Sequence, residues 1–468
     1  MKKNVLILFI TLTFSAFLGS CSESFLDQER PLVSTEALIY TDADKTESAL
    51  LGLYSTLKGT NCNFLGGRTY IAFDNRGEDI INLDPNLITL YSTYNMAVTS
   101  SHDENQDAWY YGYLAINRAN VFIESIEAYN TADVIGADLA KQYAAEAKFV
   151  RALTYFYLAN LYSEPYKLNK SAKALPLRLT AIKGSGYSNC ASSTIAKVYE
   201  SILNDLSDSE IAALPTDVKV KTRATQAAAY MLKMRTCMAM ENWSAAIAAG
   251  EAITGYTLVA DVAAQFKAPY YTDESIFSLP QSSNDRPNTQ RSSYEYYNTG
   301  SICVIDKQDG IMALPNYSLA IDKRVIAFDQ DGKLGKWTDS DPTDGRLKWH
   351  PIFRFAETKL NLAECYAQSN NVDGARNALN DVRKRSIDPT KDPLDVNSLS
   401  GNNLLEAIAL EKRLEFIGEG LRGIEIIRKG ENFIKGTRFN VGPGSPYYTW
   451  PFPESERINN SLWNVLEQ

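Results

Sequence analysis

Apolar positions recur every three or four residues over long stretches of this chain, the spacing that lines up one face of a helix. Ala49, Leu53 and Leu57 share a face within residues 42–57, with Thr41 or Asp42 placed to cap it. Residues 106–129 read the same way. The strongest stripe lies in 138–162, where Tyr143, Ala147, Val150, Leu153, Tyr157 and Leu161 step by threes and fours. Phe149 and Phe156 widen it, and Pro165 follows its end. So wide a stripe predicts a helix buried on much of its circumference. Further helices are predicted over 194–206, 225–240, 243–253, 353–368, 372–385 and 404–416.

Four of these form two pairs. The first is broken only at Glu241 and Asn242, the second at Asn370 and Asn371. Their second helices align, Trp243, Ala246 and Ala249 over Val372, Ala375 and Ala378. Alanines three apart let a neighbouring helix approach closely, as in tetratricopeptide (TPR) repeats. The full repeat consensus is absent, so the expectation is a mainly α protein with TPR-like hairpins near 225–253 and 353–385. Between them, residues 255–352 lose helical periodicity and gather glycines, prolines and aromatics. A loop-rich insertion of that length is usually functional or folds on its own. Residues 60–100 and 443–468 are also irregular.

The N-terminus departs from this pattern. Lys2 and Lys3 precede a mostly apolar run over 4–17, too short and wrongly flanked for a bilayer span. Leu18, Gly19, Ser20 and Cys21 follow, an apolar residue, two small ones and a cysteine, which resembles the lipobox of bacterial lipoproteins. The expectation is a signal peptide over 1–20, removed, and lipidation of Cys21. Residues 22–33 would then be a tether and 21–468 a single folded domain. Several acyl chains anchor a protein far better than one.

Composition narrows the functional classes. Hydrophobic and charged contents of 45% and 22% are ordinary for a globular chain. A net charge of −9 and a pI near 5.1 argue against nucleic-acid binding, which needs a basic face. Beyond Cys21, five widely spaced cysteines remain, without a CxxC, so no zinc site is expected. A disulfide or two would suit an oxidising compartment, but no pairing is assigned. The two histidines, His102 and His350, sit in no metal or hydrolase motif and read as polar loop residues. Asp329, Asp331, Gly332, Asp339, Asp341 and Asp344 resemble parts of a calcium loop but fall out of register. No cofactor and no resident metal is expected.

Gly418, Gly420 and Gly423 match GxGxxG, but a helix precedes them where a dinucleotide site needs a strand. They read as the end of helix 404–416 and a tight turn. Glu411 and Glu415 stand one helical turn apart, roughly 5–6 Å between Cβ atoms. Glycosidases use carboxylate pairs at such spacing, yet these continue the inward face of Leu404 and Ile408. Buried carboxylates need cations, and Arg354, Arg383, Arg422 and Arg428 are the candidates. An ion-pair network is expected, and no catalysis.

Several segments together resemble the SusD/RagB family. They are AEAKFVRALTYFYL over 145–158, VYESILNDL over 198–206, ESIF over 274–277, RFAE over 354–357 and NLAE over 361–364. LNDVRKR over 379–385, EKR over 411–413, EGLR over 419–422, WPFPE over 450–454 and the pair Asn459–Asn460 continue the series in family order. Gly418 and Ile424–Glu425 depart from the usual pattern. The resemblance implies a SusD-like α-helical fold with TPR-like hairpins and a loop-rich face, at the outer membrane and facing the exterior. It implies a non-catalytic lipoprotein that captures nutrient, expected to be an oligosaccharide, and hands it to a SusC-like TonB-dependent transporter. The alternative is a peptide or other nutrient on the same scaffold.

A saccharide site needs aromatic platforms with polar neighbours. Two irregular segments offer them. One, over 70–95, carries Arg76, Tyr91, Tyr94 and Asn95; the other, in the insertion, carries Tyr294, Tyr296, Tyr297 and Trp337. Trp337 is the leading candidate, because polar Lys336, Thr338 and Asp339 flank it and suit an exposed ring.

Overall fold

A computed structural model describes residues 35–467 apart from 185, 187, 299–301, 314–320, 325–332 and 339–344. The expected signal peptide, Cys21, the tether and the aspartates at 329, 331, 339, 341 and 344 lie outside the described residues. The fold is mainly α. Its longer helices are α1 (Ala43–Lys58), α2 (Arg68–Arg76), α3 (Asp103–Ala128), α4 (Ala137–Tyr162), α5 (Ile195–Asp205) and α6 (Gln226–Ala239). They continue with α7 (Trp243–Glu251), α8 (Phe355–Gln368), α9 (Val372–Ser386), α10 (Gly401–Phe416) and α11 (Arg422–Lys429). No described helix is long and apolar enough to cross a membrane.

Helix α4 is the central post. From Ala145 to Tyr162 nearly every side chain is buried, as its wide stripe requires. Helices α1, α3 and α5 pack around it. Beside this core stand the two hairpins α6–α7 and α8–α9, joined through α7 and α8. Ala246, Ala249, Ala375 and Ala378 are all buried at the close approaches.

The two hairpin turns are built alike. Glu241 and Asn370 adopt left-handed φ values of 57° and 59°. The next residues, Asn242 and Asn371, share φ −86° and ψ 75°. Their amides reach back five residues, to Cys237 O at 2.9 Å and Tyr366 O at 2.8 Å. Their side chains then cap the following helix by accepting from Ala245 N and Gly374 N. Each turn is thus a Schellman closure fused to an Asn cap, which satisfies orphan carbonyls of one helix and an orphan amide of the next. The second hairpin extends to α10 through Leu360, Leu379, Val382, Leu404 and Ile408. Each such side chain contributes about 1.5–3 kcal/mol when fully buried.

Short antiparallel ladders fasten the irregular segments. Strand β1 (Ile80–Asn82) pairs with β5 (Cys303–Ile305), and β2 (Lys173–Pro176) with β3 (Ser192–Thr194). Strand β4 (Ser275–Leu279) pairs with β6 (His350–Arg354), and β7 (Phe433–Lys435) with β8 (Phe439–Val441). His350 therefore belongs to a buried strand rather than a loop. Its Nε2 lies 2.9 Å from Ser293 Oγ, its ring meets Tyr70 edge-on, and burial lowers its pKa to about 3. All five described cysteines are free thiols, so none of the disulfides left open above forms among them.

Candidate functional site

The ladder β1–β5 joins the two segments expected to carry the ligand site. Ile80, Ile81 and Asn82 pair with Ile305, Val304 and Cys303. Past β1 the chain makes a tight loop whose carbonyls are held from below. Arg68 Nη2 donates to Leu87 O and Ile88 O at 3.4 and 3.2 Å, while its Nη1 pairs with Asp107 at 3.2 Å. Tyr296 Oη also donates to Ile88 O, at 3.4 Å across 208 residues of sequence. On this supported loop Leu83, Leu87 and Ile88 are exposed.

The named side chains are a different matter. Trp337 is fully buried; its Nε1 donates to Gly418 O at 2.9 Å and its ring packs on Phe266 and His350. The polar neighbour that suggested exposure is itself 1% exposed: Lys336 donates to Glu415 O and Ile417 O and pairs with Glu419 at 2.6 Å. Tyr296 and Tyr297 are buried, the latter donating to Asp74 Oδ2 at 3.4 Å. Tyr94 lies under Lys435 and Arg438, with the Lys435 ammonium 3.9 Å from its ring centroid. Arg76 forms no ion pair with Glu78 or Asp79. It is buried over the Phe433 ring, donates to Tyr448 O, and burial lowers its pKa to about 10. None of these five presents a surface to a ligand here, which corrects the expectation for Trp337, Tyr296, Tyr297, Tyr94 and Arg76.

Three of the expected residues keep partial exposure. Tyr91 and Asn95 belong to one short turn, closed by Asn95 Nδ2 donating to Tyr91 O at 3.0 Å. Tyr294 rests its ring on Gly345, where an added Cβ would fall 2.2 Å from the ring. Helix α2, absent from the sequence-based expectation, underlies this face. All nine of its residues are buried, so it carries no polar stripe to read. The GxGxxG glycines pack against it. Gly420 (φ 70°) and Gly423 would place a Cβ 2.7 and 2.6 Å from Tyr70 O and Phe73 O. This is the turn expected after α10, not a phosphate cradle.

Glu411 and Glu415 sit in a buried ion-pair network. Arg324 Nη1 lies 2.7 Å from Glu411, and Arg383 Nη1 lies 2.8 Å from it. Arg354 contacts Glu415 at 2.6 Å, Glu274 at 2.6 Å and Glu419 at 2.7 Å. Burial alone would raise the Glu415 pKa, but Arg385, Arg354 and Arg324 outweigh it and hold the carboxyl well below the usual range. Arg422 and Arg428 serve other carboxylates, Glu78 and Glu364. Neither Glu411 nor Glu415 faces a cleft.

Comparison with known proteins agrees with this architecture. A family model described as "Starch-binding associating with outer membrane" matches residues 48–236, and one described as "SusD family" matches residues 292–461. The crystal structure of a SusD superfamily protein from Bacteroides fragilis is 50% identical, covering 91% of this chain and 100% of that one, with a TM-score of 0.87. The SusD-like protein P25 of Formosa agariphila is 24% identical over 92% of this chain and 90% of its own length. Surface glycan-binding protein A of Bacteroides thetaiotaomicron, solved in complex with laminarihexaose, shares the fold at 18% identity. That match covers 89% of this chain and 98% of the other, with a TM-score of 0.70. This chain belongs to the SusD/RagB family.

Proposed function

We propose that the protein is a non-catalytic cell-surface lipoprotein that captures an oligosaccharide and delivers it to a SusC-like TonB-dependent transporter. Proteins of its family associate with the outer membrane, and a relative by fold holds a glycan. The observation that carries the reading is the loop face assembled by β1 and β5. Two irregular segments far apart in sequence meet there on a buried, fixed foundation; the turn of Tyr91 and Asn95 adjoins β1, the segment of Tyr294 adjoins β5, and all three side chains keep partial exposure. Loops held by a rigid scaffold are where binding residues concentrate. Catalysis is not part of the proposal, because the paired carboxylates are committed to arginines in the core.

Titration of the purified protein against panels of oligosaccharides and of peptides tests it. A saccharide should bind, leave with its chain length unchanged, and bind about tenfold more weakly to a Tyr91→Ala/Tyr294→Ala variant. Binding by peptides alone would favour the alternative nutrient class. Protein extracted from membranes should begin at an acylated Cys21 and copurify with a TonB-dependent channel. A Cys21→Ala protein still fully membrane-held, or a protein always recovered alone in mild detergent, would reject those parts.

A further inference from the structure

Helix α3 turns an aromatic flank outward into a groove of about 570 Å³ whose lining includes no residue of β1 or β5. That volume lies within the range of small-molecule sites, roughly 300–1,000 Å³. Tyr110, 61% exposed, and the partly exposed Tyr113 form one wall. Trp109 lies buried behind them, its ring centroid 4.7 Å from that of Tyr113, and Tyr111 braces Tyr110 edge-on at 5.1 Å. Arg178, Ser188 and Glu456 line the groove with them.

The polar groups are held in place. Arg178 Nη1 donates to Ser188 O at 2.6 Å and to its Oγ at 2.9 Å, and Nη2 donates to Glu456 Oε1 at 3.4 Å. Glu456 also accepts from Trp109 Nε1 at 3.3 Å and from Asn460 Nδ2 at 2.6 Å. Asn117 ties down the facing loop twice, donating to Ile182 O at 3.0 Å and accepting from Ile182 N at 2.8 Å. Groups already oriented cost little ordering when a ligand arrives. The charged residues among the described lining are Arg178 and Glu456, and they pair with each other. An anionic ligand would face Glu456, and a cationic one Arg178. An uncharged molecule with an apolar face and many hydroxyls meets neither penalty, and its ring faces can pack on the tyrosines.

We propose that this groove is a second saccharide site, for an uncharged oligosaccharide, separate from the loop face. A further hollow of about 310 Å³, lined by Tyr111 and Arg118, lies on the other flank of α3 and shares Leu114 with the groove. The two hollows therefore adjoin at Leu114.

Calorimetric titration with maltohexaose, laminarihexaose, xylohexaose and mannohexaose, and with the hexamer of galacturonic acid as the charged control, tests the site. At least one neutral hexamer should bind the full chain, and Tyr110→Ala should weaken a component of that binding about tenfold without moving the melting temperature. Absence of binding by every neutral hexamer at millimolar concentration overturns the proposal. So does undiminished binding in Tyr110→Ala, or a Tyr110-dependent component seen with the charged hexamer alone. The Tyr91→Ala/Tyr294→Ala variant separates the two sites. Loss of all binding there, with no response to Tyr110→Ala, sinks the groove and leaves the loop face standing; the converse result does the reverse.

Discussion

The inner wall of the insertion and the outer flank of α3 are both rich in aromatic rings, and they use them oppositely. On the inner wall Trp337, Tyr296 and Tyr297 are closed off from water, and each polar atom they carry finds a partner inside. On the outer flank Tyr110 stands in the open on a regular helix while its neighbour Trp109 is buried. The difference lies in where the surrounding polar groups can be satisfied. Lys336 reaches two carbonyls and Glu419 without leaving the core, so it draws Trp337 inward with it. Among the described residues no such internal partner pulls Tyr110 under, and the helix simply carries it outward.

Substitution can break this contrast. Trp337→Ala should cost about 3–5 kcal/mol in denaturant unfolding, because it deletes a fully buried ring and its hydrogen bond. A loss below 1 kcal/mol would mean that the ring is exposed after all. Asp74, under Tyr297, should give a pH signature. Burial raises its pKa from 3.8 to about 7, against the pull of the Gly420 N–H. Between pH 4 and 7 the unfolded chain ionises this group and the folded one does not. Its contribution therefore falls as pH rises, by about 1.4 kcal/mol per pH unit, and levels off above 7. The difference in stability between wild type and Asp74→Asn should follow that slope; a flat difference would contradict the burial.

Lys336→Met keeps the stem and removes the charge. Glu419 retains Arg354, so the expected loss is about 2 kcal/mol, that of hydrogen bonds to a charged group. A neutral effect would return Lys336 to the surface. Tyr110→Ala should change stability by less than about 0.5 kcal/mol, and a larger loss would erase the distinction between the two regions.

Much of the helical frame was legible beforehand. Residues 138–162 announced a buried helix, and the alanines at 246, 249, 375 and 378 announced two similar hairpins. Helix α2 was not legible, since amphipathic periodicity needs a solvent face and this helix has none. Some of its polar groups are answered internally, Arg68 Nη2 by the Leu87 and Ile88 carbonyls and Asp74 by Gly420 N. The Glu411 and Glu415 network was readable in outline through Arg354 and Arg383. Arg324 was invisible because it arrives from the irregular insertion. At the candidate site the two segments were identifiable, but not which side chains open to water. A three-residue strand such as β1 or β5 is too short to register an alternating pattern. Tyr110 was missed for a related reason, as it sits within a sequence dense in aromatics whose outward member only the packed helix reveals.

The enclosure of α2 also sets an order of assembly. Two of its side chains wait for partners made near the end of synthesis: Gly420 N meets Asp74 across 346 residues, and Tyr448 O meets Arg76 across 372. A nascent chain can wind α3 and α4 against each other early, since they are neighbours in sequence. The foundation of the loop face cannot close until almost the whole polypeptide has emerged. Such distant contacts are slow to form because the entropy of closing the loop comes first. Fragments ending before Gly418 should therefore leave the Arg68–Arg76 segment accessible to protease, however well their central helices have paired.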